Sequence, residues 1–309
     1  MSELLKEIDD QMVFEGIPGD RSIAKQADLE WIRTLLNNWS RRPFSDLAVL
    51  WAILAIASSA PLTVVEGSIR PTLILARENR STGHVLAELV AALFDDTRIR
   101  NQIMIWADGC EGLVQAVLTK DALPLAVLNF PSSAKSSADV TRLFAMLTRT
   151  SASLDGLEPV APHLAPKAHR PGSTILVLDR DYPRLDLKKR MRLLESEHAQ
   201  SHSIWVEEPT FANEADVAVV RDWSRQHHGL AGVYLNREYQ RNFDFHLKAA
   251  RRRQDALRER FPLHHESVAL ATQGLLALGL ALGLDLPWEE AESYLCEQAL
   301  APRLFRPWK

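Results

Sequence analysis

Five short apolar runs constrain this chain more than any other feature: Thr72–Ala76 (TLILA), Gln102–Ala107 (QIMIWA), Leu125–Phe130 (LAVLNF), Thr174–Leu178 (TILVL) and Ser203–Val206 (SIWV). Each has the length of a strand and is apolar almost throughout, the pattern of strands buried on both faces. Amphipathic stretches lie between them at His84–Phe94, Glu111–Leu118, Ser137–Leu147 and Leu187–Glu197. Strand and helix in alternation predict a parallel five-stranded sheet covered on both faces, a three-layer α/β core. One interval breaks the rhythm: residues 150–173 carry four prolines and no periodicity, which predicts a long surface connection before the fourth strand.

The flanks read differently. Leu29, Trp31, Ile32, Leu35, Leu36 and Trp39 recur at helical spacing, Ser45 can cap a following apolar helix, and Pro61 ends it. After Pro209 the pattern is helical again. The chain of 309 residues therefore divides into a helical N-terminal segment (1–60), an α/β core (61–209) and a C-terminal helical subdomain (210–309) that would act as a lid. With 46% apolar and 25% charged residues it can bury a core of this size, which excludes wholesale disorder and coiled coil.

Leu47–Ala57 is unbroken but eleven residues long, too short to span a bilayer as a helix. Val268–Leu284 is longer, yet Thr272 and Gln273 interrupt it and three glycines thin it, so a core helix is expected and no membrane contact. Met1–Gln11 is acidic and polar, unlike a secretory signal, and two cysteines without a CxxC fit a reducing compartment. A cytoplasmic location is expected.

In such a sheet the turn after the first strand is where backbone N–H groups and a helix N-terminus converge on an anion. Here it reads Arg77, Glu78, Asn79, Arg80, Ser81, Thr82, Gly83, His84, Val85. A working phosphate loop needs an early glycine, a lysine for the β and γ phosphates and a Ser or Thr hydroxyl on magnesium. Only the middle of that specification is present.

On these residues the chain resembles the helicase-like AAA+ (P-loop) domains of unknown function carried by phages, plasmids and genomic islands, often beside primases. Ser81, Thr82 and Gly83 match the S-T-G of their G-x-S-S-T-G-K-T loop, but Glu78 stands at the first glycine, His84 at the lysine and Val85 at the magnesium-binding threonine. Ala107–Leu113 (ADGCEGL) is similar to the segment after the family's second strand. The family's third strand ends in an acidic pair, where this chain has Asn129 and Phe130. His228–Gly232 (HGLAG) and the closing Leu286, Pro287, Trp288 also match loosely. The resemblance spans about Leu47 to Leu300 and implies a P-loop NTPase-like sheet whose nucleotide pocket has degenerated.

The substitutions share a physical direction. A carboxylate at Glu78 competes for the anion site, a neutral His84 supplies little of lysine's charge, and Val85 with Asn129 and Phe130 leaves magnesium without evident ligands. ATP and magnesium are therefore not expected as cofactors. The pair His198 and His202, with Ala199 where a protease would need glutamate, reads as a solvated helix end, and His227–His228 and His264–His265 as surface or cap residues. Cys110, near a helix start, has no catalytic partner placed by sequence. Asp179, Arg180 and Asp181 follow the fourth strand, where AAA+ proteins keep a polar sensor.

Lys248–Arg260 (KAARRRQDALRER) holds six basic and two acidic residues: Lys248, Arg251, Arg252, Arg253, Arg258 and Arg260 against Asp255 and Glu259. Clustered cations suit phosphates or an acidic partner, and a solvated helix face is the third reading. The net charge of −4 argues against a dedicated DNA-binding protein. The sequence thus points to a catalytically inactive AAA+-like protein, an accessory or regulatory subunit with a protein partner, a related active ATPase or helicase among the candidates, and self-association open. A divergent nucleotide-binding ATPase, or a nucleic-acid-binding module using the Arg-rich helix, are the alternatives.

Overall fold

The computed structural model describes residues 29–37 (31 and 35 apart), 47–64, 71–76, 90, 93, 94, 103–105, 124–130, 172–178, 203–207, 230–262 and 264–300. Its strands are β1 (Thr72–Ala76), β2 (Ile103–Ile105), β3 (Pro124–Phe130), β4 (Ser173–Leu178) and β5 (Ser203–Glu207). They form one sheet in the order β2-β3-β4-β1-β5, and every pairing is parallel. β1 lies between β4 and β5, with Leu73 opposite both Ile175 and Ile204. Leu73, Ile74 and Leu75 are fully buried, as consecutive residues must be when both faces of a strand are covered.

Among the described residues, the helices whose two ends are both described are α1 (Leu47–Ser58), α2 (Leu230–Arg258), α3 (His265–Leu282) and α4 (Trp288–Leu300), with a 3₁₀ turn at Ala60–Val64. α1 (LAVLWAILAIAS) is apolar all round, and a helix of that kind is stable only when enclosed. It is enclosed: Ala52 through Ala57 are completely buried and Trp51 almost so. One side of α1 packs on β4, β1 and β3, and the other receives α3 and α4. Apolar residues of the N-terminal helical turns, α1, the sheet and the C-terminal helices form one continuous core. The described residues of the N-terminal segment therefore belong to this core.

Helix ends follow from local chemistry. Ser58 and Ser59 turn their hydroxyls back onto the carbonyls of Leu54 and Ile56, which competes with further helix, and Pro61 sits inside the 3₁₀ turn that follows. Thr63 Oγ1 then bonds the carbonyls of Ala60 and Gly172, tying the turn to the amino end of β4. Gly283 closes α3 with φ +65°, and Leu284 N–H reaches Gly279 O at 2.8 Å, the six-to-one bond of a Schellman cap.

The C-terminal helices approach through glycine. A Cβ on Gly274 of α3 would stand 2.5 Å from the Ser59 backbone nitrogen, and one on Gly232 of α2 would stand 2.6 Å from the Phe94 carbonyl oxygen. Tyr239 of α2 donates its hydroxyl to Ser58 O at 3.1 Å. α3 thus packs on α1, and both α2 and α3 pack on the 3₁₀ turn at the amino ends of β1 and β4. α3 and α4 form the outer cover of α1, which has no polar face to leave in water.

Candidate functional site

The sheet order fixes where a ligand would sit. After β1 the next strand in the chain, β2, lies at one edge, while the strand after β4 lies at the other edge. Neighbouring strands β1 and β4 thus send the chain in opposite directions, and in open parallel sheets ligands bind outside the carboxyl ends at such a reversal. Registers Leu75 with Val177 and Leu178 with Phe130 bring the carboxyl ends of β1, β4 and β3 into line. Asn129 and Phe130 occupy the end of β3, one strand away from β1. Neither position carries a carboxylate.

Glu78, Ser81, Thr82, Gly83, His84 and Val85 lie outside the described residues, as do Cys110, Asp179, Arg180, Asp181, His198, His202, His227 and His228. Of the nucleotide-pocket set, Asn129 and Phe130 are the two whose place in the fold is described.

The Arg-rich segment forms the second half of α2 and the turn after it. Its six cations do not act alike. Arg253 is half-buried, ion-paired to Glu292 and stacked over the Trp288 ring at 4.7 Å, so it ties α2 to α4. Arg258 pairs with Asp255 at 3.2 Å, and Arg260 lies over Phe261 at 5.3 Å. Lys248, Arg251 and Arg252 are exposed and make no ion pair among the described residues. The cationic surface is therefore narrower than the sequence count suggests.

A buried polar cluster lies beside it, one that reading the sequence did not single out. His246 is fully buried; Gln273 of α3 places Nε2 2.8 Å from its Nδ1, and Glu238 of α2 places Oε1 2.9 Å from its Nε2. With an amide donor on Nδ1, the ring proton sits on Nε2 and faces the carboxylate. Asn242 donates to the same Glu238 oxygen at 3.0 Å, and Asn242 is the one residue within α2 with non-helical angles, φ −131° and ψ 23°. Glu238 thus braces the helix across its kink, and Gln273 locks the ring from the neighbouring helix. Gln273, the polar interruption of an apolar run, was the one signal of this cluster in the sequence.

Elsewhere the chemistry is quiet. Burial, and then the nearby Glu292 carboxylate, push the Cys296 thiol up to about 11, so it stays protonated at neutral pH. Among the described residues no three His, Cys, Asp or Glu side chains gather as a metal site. A cleft of about 430 Å³ beside Trp51 and the start of α4 is lined by Asp285, Glu289 and Glu290, a charge that suits no phosphate. Within the described residues α3 alone is long and apolar enough to cross a membrane, and here it is packed inside the core with Thr272 and Gln273 bonded.

A parallel α/β sheet flanked by helices, with its crossing point at β1 and β4, defines a P-loop-like α/β fold shared with a solved helicase. Among the solved structures that the chain is similar to is "SCCmec type IV Cch - active helicase", at a TM-score of 0.61 and 10% sequence identity. The match covers 85% of this chain and 50% of that one, so the chain spans about half the length of its structural neighbour. No protein-family model matches the sequence, and no curated protein matches it.

Proposed function

We propose that this protein is a catalytically inactive, helicase-like AAA+ relative that works by binding, as an accessory or regulatory subunit of a mobile-element, phage or DNA-replication-linked assembly. The observation that carries the reading is the pairing of a helicase-like fold with a carboxyl edge whose sequence lacks the groups hydrolysis needs. Phosphoryl transfer is almost wholly positioning and charge stabilisation, so losing the lysine and the magnesium ligands removes most of the catalysis while leaving the scaffold. Glu78, His84 and Val85 after β1, with Asn129 and Phe130 at the end of β3, are that loss. A related active ATPase or helicase is the partner this reading favours, and a second copy of the chain is the other.

Titration of the full chain with ATP and magnesium tests it. No heat and no phosphate release are expected, and co-purification should recover a protein partner or an oligomer. ATP turnover abolished by His84→Ala would overturn the proposal in favour of a divergent ATPase in which the histidine replaces the lysine.

A further inference from the structure

We propose that the exposed face of α2 around and beyond its kink binds single-stranded nucleic acid, with Phe245 as a stacking platform and Arg241, Lys248, Arg251 and Arg252 as phosphate contacts. Phe245 and Leu280 are the two exposed large hydrophobic side chains among the described residues, and Phe245, at 62% exposure, is the one set among cations. Lys248 and Arg252 follow it by three and seven residues, which places all three on one face of the helix. Arg251 adjoins them, and Arg241 stands exposed just before the kink. None of these four cations makes an ion pair among the described residues. Asp244 is the carboxylate within this stretch, so 4 − 1 leaves a local charge of +3 on a chain whose total is −4.

The ring is also held. Phe245 meets the edge of His246 at 5.3 Å and 75°, and His246 is itself fixed by Gln273 and Glu238. An aromatic ring 62% exposed and steadied by a buried network loses little freedom when a base stacks on it. Stacking tolerates any base but requires one outside a duplex, which selects a single strand. From residue 243 to 252, beyond the kink, the helix rises about 14 Å at ~1.5 Å per residue, room for about four nucleotides stacked at ~3.4 Å. An acidic protein surface would use the cations and leave the ring idle. The inference does not depend on whether the nucleotide loop has lost its activity.

Fluorescence anisotropy of a labelled oligothymidylate of about 20 nucleotides with the full chain, repeated across salt concentrations, tests it. Phe245→Ala should weaken binding about 5- to 150-fold without changing the salt slope, and Phe245→Trp should retain affinity. Lys248→Ala and Arg252→Ala should each make the slope of log K against log salt shallower by about 0.7. Phe245→Leu keeps apolar bulk without a π face: lost affinity at an unchanged melting temperature supports the proposal, and retained affinity overturns it. So would no binding at low salt, a blunt duplex bound as tightly as the single strand, or polyglutamate competing equally, which would assign the face to an acidic protein.

Discussion

His246 concentrates more structural consequence than any other side chain described. Removing its α3 partner by Gln273→Leu leaves Nδ1 buried without a donor, and an unsatisfied buried group costs about 1–3 kcal/mol. Chemical denaturation should register that loss, and combining it with His246→Ala should cost less than the sum, because the pair shares one interaction. A second residue-scale expectation concerns alkaline pH. Burial raises the Cys296 thiol from 9.0 to about 11 and lifts the Tyr239 hydroxyl well above 10.0. The unfolded chain therefore releases these protons at lower pH than the folded one. The stability contributed is complete below about pH 9 and drains as pH rises through about 11. Melting temperatures should fall across that window, and Cys296→Ala should flatten the decline. Residue chemistry was only partly legible beforehand. That position 84 holds a histidine and that positions 129 and 130 hold no carboxylate can be read from letters alone, whereas the meeting of Glu238, His246 and Gln273 depends on a helix kink and a neighbouring helix that no spacing rule supplies.

At the scale of elements, the runs that became strands were legible because a doubly covered strand has to be apolar throughout. Thr72–Ala76 coincides with β1, and Ser203–Val206 falls one residue short of β5. Of the run Gln102–Ala107 the described part, Ile103–Ile105, is β2, an edge strand bonded on one side. The glycines of the long apolar helix were legible only as weakening. In the fold Gly274 is a contact: its missing side chain lets α3 reach the end of α1, where a Cβ would stand 2.5 Å from backbone that cannot rotate away. Gly274→Ala should therefore destabilise by about 1–3 kcal/mol, the opposite of the gain that alanine gives in an ordinary helix interior. Thermal melts of Gly274→Ala beside an exposed control, Gln240→Ala, distinguish the two effects.

The whole molecule raises a question that the division into residues 1–60, 61–209 and 210–309 invites: whether the central part is a domain in the sense of folding alone. The core says otherwise. Val49, Leu50, Ile53, Leu54 and Ile56 of α1 are buried between the sheet and the C-terminal helices, and each such side chain contributes about 1.5–3 kcal/mol. Five of them amount to about 7–15 kcal/mol, the size of a typical domain's entire net stability. Cutting before residue 61 removes that helix and bares the sheet face it covers, while cutting after residue 209 strips α3 and α4 from its outer side. A fragment of residues 61–209 should accordingly show no cooperative thermal transition and should bind a hydrophobic dye, while the full chain melts cooperatively. A sharp transition in the fragment would mean that the sheet carries its own core and that α1 is an accessory. The expected result bears on the surface of α2 as well, because α3 and the 3₁₀ turn, on which α2 packs, belong to the same core as α1 and the sheet.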